Sequence, residues 1–164
     1  MQPDVKNVGI ITKKKIKEHR LLLEKTVDFL RHHEKKVYLD HNAAPILNEG
    51  EGFSKKDILE KSDAVIILGG DGTILKTARH LSYHPVKILG VNLGRVGFLT
   101  EVAPERLEKA LETVFIQKKY WIDIRYILRV TVYRRGEKIM TSLALNEVVI
   151  NQGSFARLID LKTE

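Results

Sequence analysis

With 164 residues, 43% hydrophobic and 30% charged, the chain holds enough for one ordinary domain, or for one domain and part of another. It has no cysteine, which excludes disulfides, thiolate zinc sites and cysteine nucleophiles. No apolar run approaches the roughly 20 residues that span a bilayer, and Met1–Lys6 lacks the apolar stretch of a signal peptide, so a cytoplasmic protein without membrane contact is expected. The net charge of +7 gathers in lysine clusters (Lys13-Lys14-Lys15, Lys35-Lys36, Lys55-Lys56, Lys118-Lys119) that are not interleaved with aromatics. They read as solvated faces whose summed field attracts anions, and no nucleic acid is expected as a partner.

Asn7–Thr12 is a short apolar run suited to a buried strand. Ile16, Leu23, Val27 and Leu30 then share one helical face, and His32-His33 stand where that helix should end, a place that suits partly charged side chains. Val37–Leu39 reads as a second strand, and Asp40–Phe53, rich in Asn, Pro, Gly and Ala, as a loop. Ser54 can cap a helix to Lys61, with Asp57 at the capping-box position. Ala64–Leu68 is wholly apolar, as in a parallel strand covered on both faces. A glycine loop follows, then a helix over Ile74–Leu81 stopped by Pro85, a strand over Val86–Val91, and a helix from Pro104 to about Phe115 with Leu107, Leu111 and Val114 facing in. The expected fold is therefore α/β: an open parallel sheet with flanking helices, over residues 1–118.

From 119 to 164 the pattern changes. Apolar residues alternate from Ile122 to Val132, Arg135-Gly136 marks a hairpin turn into Lys138–Leu145, Asn146–Ile150 continues as strand, Asn151-Gln152-Gly153 turns again, and Arg157–Leu161 alternates. This is the incomplete start of an all-β domain, too small for a core of its own. Either an oligomer covers its edge or the chain is an N-terminal piece of something longer.

The chemistry centres on Gly69-Gly70-Asp71-Gly72-Thr73. Consecutive backbone N–H groups between a strand and a helix form an anion site, and glycines at 69, 70 and 72 leave room for phosphate oxygens. A carboxylate there repels phosphate unless it binds magnesium or accepts a proton from an attacking hydroxyl, and Asp71 is the candidate base. Thr73 can cap the helix or touch a phosphate. A plain strand-to-helix turn with Asp71 as its cap is the alternative. The loop is neither a Walker loop nor the dinucleotide fingerprint. A second loop at the next strand's end, Gly90–Thr100, carries Asn92, able to bond a ribose or phosphate, and Phe98, which either stacks on a base or sits in the core. A third feature is the polar pair Asn146-Glu147 within apolar sequence, satisfied by a ligand's hydroxyls or by backbone. His80 and His84 have i, i+4 spacing but no third ligand, so no metal site is read there, and Trp121 is read as an anchor of the domain junction.

With these motifs the sequence resembles the NAD kinase family. The match rests on Gly69–Thr73, on Gly90-Val91-Asn92-Leu93-Gly94 with Gly97-Phe98-Leu99-Thr100, and on Leu145-Asn146-Glu147-Val148-Val149-Ile150. The first motif is shared with lipid kinases and 6-phosphofructokinases; the other two single out NAD kinases. The resemblance implies transfer of the terminal phosphoryl group of ATP, or of polyphosphate, to the 2′-hydroxyl of NAD's adenosine ribose, with magnesium or another divalent metal on the phosphates. It implies Asp71 as general base, Gly70, Gly72 and Thr73 around phosphate, Asn92 and Phe98 beside the nucleotide, Asn146 and Glu147 on NAD, and a homo-oligomer (dimer or tetramer) at full length. The family continues into a Ser/Thr/Gly-rich segment that this sequence does not reach. The alternatives are a non-catalytic nucleotide-binding fragment and, further off, a lipid kinase.

Overall fold

A computed structural model describes residues 4–81, 86–94, 97–151 and 160–162. The chain divides into two compact units, Met1–Ile124 and Arg125–Glu164.

The first unit is built on a four-stranded parallel sheet: β1 (Asn7–Thr12), β2 (Lys36–Leu39), β3 (Ala64–Gly69) and β4 (Lys87–Asn92), in the order β2-β1-β3-β4. In-register pairs such as Ile10↔Leu39, Ile10↔Ile66 and Ile67↔Gly90 fix its alignment. Every residue of β3 is buried, as its unbroken apolar run requires of a strand covered on both faces. Alternating side chains build two layers. On one side Val8, Ile10, Ile66 and Leu68 join a core with Leu23, Val27 and Leu30 of helix α1 (Arg20–His32) and with Leu107, Leu111 and Phe115. On the other, Gly9 lets helix α2 (Lys55–Lys61) approach so closely that a Cβ there would meet Ile58 and Ser62.

Local signals explain most boundaries. The Ser54 hydroxyl oxygen accepts from the Asp57 amide at 3.2 Å and starts α2. The Asp57 carboxylate takes the Ser54 hydroxyl at 2.6 Å, where a capping box would have it take the backbone amide. The loop 40–53 contains a 3-10 turn, Ala44–Leu47, held by the buried Asp40. The segment read as one helix from Pro104 is composite: a 3-10 turn (Pro104–Arg106), α4 (Leu107–Leu111) and a π turn (Glu112–Ile116). Its buried positions 107, 111 and 115 repeat every four residues. That repeat outruns the α-helical 3.6, and the wider π turn keeps Phe115 inward while Val114 is partly buried.

Helix α3 covers Asp71–Ala78, three residues earlier at each end than periodicity suggests. Thr73 N–H and Ile74 N–H both bond Gly70 O, so Asp71, Gly72 and Thr73 form the helix's first turn, with Gly70 as the residue before it. An acidic residue in that turn complements the positive end of the helix dipole.

The second unit contains the antiparallel hairpin β5 (Leu128–Arg134) and β6 (Glu137–Ala144), running from Leu128↔Ala144 to Arg134↔Glu137 with an irregularity between Val132 and Tyr133. Positive φ at Arg135 (53°) and Gly136 (82°) make the turn that joins strands without splaying them. Both strands are shorter than expected. Residues 122–127 alternate like a strand but have no ladder partner among the described residues, since β6 ends its pairing at Leu128. Residues 146–150 follow β6 as a bend and irregular chain. Period alone does not make a strand; a partner does. The expectations for Asn151-Gln152-Gly153 and Arg157–Leu161 fall largely outside the described residues, and Pro85 and His84 lie outside them.

Candidate active site

Open parallel sheets bind ligands beyond the carboxyl ends of their strands, where successive connections depart in opposite directions. The order β2-β1-β3-β4 puts that point between β1 and β3. The residues that leave those strands are Thr12-Lys13 and Gly69-Gly70-Asp71, so the glycine motif stands where the topology opens a crevice.

Asp71 is the centre of the arrangement. Its Oδ2 accepts from Phe98 N–H at 2.7 Å. Its Oδ1 accepts from Leu99 N–H at 3.1 Å, Thr100 N–H at 3.2 Å and the Thr100 hydroxyl at 3.3 Å. The carboxylate thereby ties the loop after β4 to the first turn of α3. Burial acts to raise its pKa, but the amides of Phe98 and Leu99 and both groups of Thr100 outweigh that and hold the carboxyl below its ordinary value. Asp71 is thus ionised near neutrality, with Oδ1 saturated and Oδ2 carrying one donor, so Oδ2 retains a lone pair for a further hydroxyl.

The glycines divide into two kinds. A Cβ at Gly69 would run into Thr73, one at Gly90 would press on Ile74 and the Leu99–Thr100 backbone, and one at Gly97 would collide with the Asp71 carboxylate. Those three serve the protein's own packing, which corrects the expectation that Gly69 clears space for phosphate. Gly70 and Gly72 differ: a Cβ at either would meet nothing within 4 Å, and neither has positive φ. Nothing among the described residues demands glycine at either, and at Gly72, inside the first helical turn, glycine costs about 0.5–1 kcal/mol relative to alanine. The space they leave faces outward from the loop.

The remaining candidates fall as follows. Thr73 makes no side-chain cap and packs against Gly69. Asn92 ends β4, and its Oδ1 accepts from Gly94 N–H at 2.9 Å, while Leu93 N–H donates to Gly69 O at 2.8 Å, so the two loops touch. Phe98 is 96% exposed; the core placement is excluded, and the ring stands free while its amide holds Asp71. Asn146 and Glu147 are exposed in the second unit, in a bend beyond β6, so the expectation that strand burial forces partners on them does not hold. Trp121 is fully exposed. His80 is exposed, and no group of three or more His, Asp or Glu side chains among the described residues converges on a metal position. An open cleft of about 290 Å³ beside α1 is lined by Arg20, Glu24, Asp28, Arg31 and Glu49, but its arginines already pair with Glu24 and Glu49.

Sequence reasoning missed two groups. Asp40 is a buried carboxylate that accepts from Thr12 N–H (2.9 Å), the Thr12 hydroxyl (3.0 Å) and Ala43 N–H (2.9 Å), fixing the end of β1. Lys13 was grouped with its solvated neighbours, yet it is half-buried while Lys14 and Lys15 are exposed. The available signal was position: Lys13 follows β1 as Gly70 follows β3.

A model of the ATP-NAD kinase N-terminal domain matches residues 6–120. The chain belongs to the NAD kinase family. The NAD kinase of Natranaerobius thermophilus is 35% identical over 161 residues, covering 98% of this chain and 56% of that protein. That of Geotalea daltonii is 46% identical over 110 residues, covering 67% of this chain and 38% of that protein. The chain thus spans about half the length of the curated relatives it matches. A crystal structure of yeast NADH kinase complexed with NADH superimposes with a TM-score of 0.72 at 21% identity, covering 87% of this chain and 47% of that one, and so shares the fold.

Proposed function

We propose that this chain carries the phosphate-handling part of an NAD kinase, which transfers the terminal phosphoryl group of ATP to the 2′-hydroxyl of NAD's adenosine ribose and yields NADP. Family membership supports the reaction class. The observation in the site that carries the reading is the ionised Asp71 carboxylate, pinned by the loop after β4, with one oxygen still able to accept, beside two glycines that leave space open. Residues 1–118 would hold the nucleotide chemistry, and 119–164 the start of a β-domain that contributes Asn146 and Glu147 to NAD.

In this reading Asp71 Oδ2 takes the proton of the 2′-hydroxyl as the ribose oxygen attacks the terminal phosphorus. The bond between that phosphorus and the ADP oxygen breaks, and ADP leaves with the electron pair. The amides at the start of α3 receive phosphate oxygens in the space that Gly70 and Gly72 leave open. Asn92 and the exposed Phe98 ring border the nucleotide. Magnesium bound to the phosphates of ATP would neutralise part of their charge; polyphosphate is the other donor to test, and NADH the other acceptor.

The test is Asp71→Asn in the full-length protein. NADP formation should fall by at least about a thousandfold, within the range ascribed to a positioned base, while NAD still binds by calorimetry. Turnover close to wild type would remove Asp71 from the base role. The curated relatives matched here are NAD kinases, which disfavours the lipid-kinase reading. A full-length protein that binds NAD and ATP without turnover would favour the non-catalytic one.

A further inference from the structure

Lys13 occupies the other side of the crevice from the glycine motif. Its backbone N–H donates to Leu68 O at 2.9 Å, which locks it beside the end of β3. Its Nζ donates to Leu93 O at 3.2 Å and contacts His19 Nε2 at 3.0 Å. An ammonium has no acceptor capacity, so Nζ can only donate in this contact. Leu93 N–H in turn donates to Gly69 O, so the ammonium and the glycine loop hold the same residue, one through its C=O and the other through its N–H. Two of the three ammonium hydrogens are thus used, and the third has no partner among the described residues. The strand end that carries Lys13 is itself fixed, because Asp40 holds both the amide and the hydroxyl of Thr12.

A lysine at the end of a buried strand has every opportunity to extend into water, as Lys14 and Lys15 do. Holding it against a carbonyl and an imidazole nitrogen immobilises a long side chain, at a cost in rotamer entropy. Those two acceptors orient the cation without cancelling its charge. No carboxylate pairs with it among the described residues. Resting on the NAD kinase reading, we infer that Lys13 binds the phosphoryl donor's phosphate chain, facing it across the switch point from Gly70 and Gly72. The ligand chemistry is a linear polyphosphate anion, free or as the tail of ATP.

Two measurements on the full-length protein test this. In the first, Lys13→Met is compared with Lys14→Met. Loss of one charge-assisted contact should lower kcat/KM for ATP by about tenfold to a hundredfold in Lys13→Met. The KM for NAD should hold, and Lys14→Met should behave as wild type. A purely structural role for Lys13 would move both substrates' constants together or leave both unchanged, and either result overturns the inference. The second needs no variant: wild type is treated with an amine-acetylating reagent, with or without inorganic tripolyphosphate, and each lysine is read by mass spectrometry. Lys13 should be protected by tripolyphosphate and by ATP, while Lys14 and Lys15 are not. Equal modification of Lys13 with and without tripolyphosphate would sink the assignment, even if Lys13→Met failed to fold. Protection of Lys13 in a protein that makes no NADP would uphold the lysine's role and overturn the enzymatic reading instead.

Discussion

Gly72 is the residue where demands of fold and site separate most clearly. It lies in the first turn of α3, where alanine would be the better helix former, and a Cβ there would touch nothing among the described residues. Gly72→Ala should therefore raise the stability of the unliganded protein, by up to about 1 kcal/mol, read as a shift in the urea midpoint. The same methyl group should weaken tripolyphosphate binding and raise the KM for ATP. A variant that gained stability and lost no affinity would show that the space beside Gly72 receives no phosphate. Glycine content made the motif legible in the sequence, but which glycines serve packing was not, because that depends on where Thr73, Ile74 and the Asp71 carboxylate stand. Phe98 was equally ambiguous: an aromatic after glycine suits a core or a ligand, and only its exposure decides.

At the scale of elements, the bond between α3 and the loop after β4 makes a prediction about pH. The Asp71 carboxyl is held below its ordinary value, so the unfolded chain binds that proton more readily than the folded one. The resulting stabilisation is fully present above the unfolded carboxylate range and is lost as pH falls through the depressed folded value. Through neutral and mildly acidic pH the Phe98, Leu99 and Thr100 amide signals should stay constant by NMR. They should move together only below the ordinary carboxylate value of 3.8. A transition of those amides near pH 6 would mean that the carboxylate is not held as described. The four parallel strands were legible because each is a short apolar run bounded by polar or glycine-rich chain. The start of α3 and the composite helix after Pro104 were not, since a helix start depends on hydrogen bonds to Gly70 O and a π turn on packing of Phe115.

Across the whole molecule the two units differ in how far they bury their apolar side chains. The first closes a core on both faces of its sheet, with Val8, Ile10, Ile66 and Ile67 wholly buried. In the second, Tyr126 (88%), Val149 (67%) and Ile150 (64%) are exposed, as is half of Ile139. A hairpin alone is marginal in water. This polypeptide should accordingly associate as its concentration rises, measured by light scattering, and its second unit should be cleaved first in limited proteolysis. A monomer at high concentration with both units equally resistant would contradict this. The change from a helical to an alternating pattern made the second unit legible in outline. The extent of its strands was not, because the alternating 122–127 and the apolar end of 146–150 have no ladder partner among the described residues.

The collision between a side chain at Gly97 and the Asp71 carboxylate has a consequence for descent. A lineage that replaced Gly97 would have to release the loop or surrender the carboxylate, and one that had already lost the carboxylate would be free to fill position 97. The two positions should therefore be inherited as a pair. A homologue in which Gly97 has become a larger residue should accordingly lack the carboxylate at 71 or hold it elsewhere.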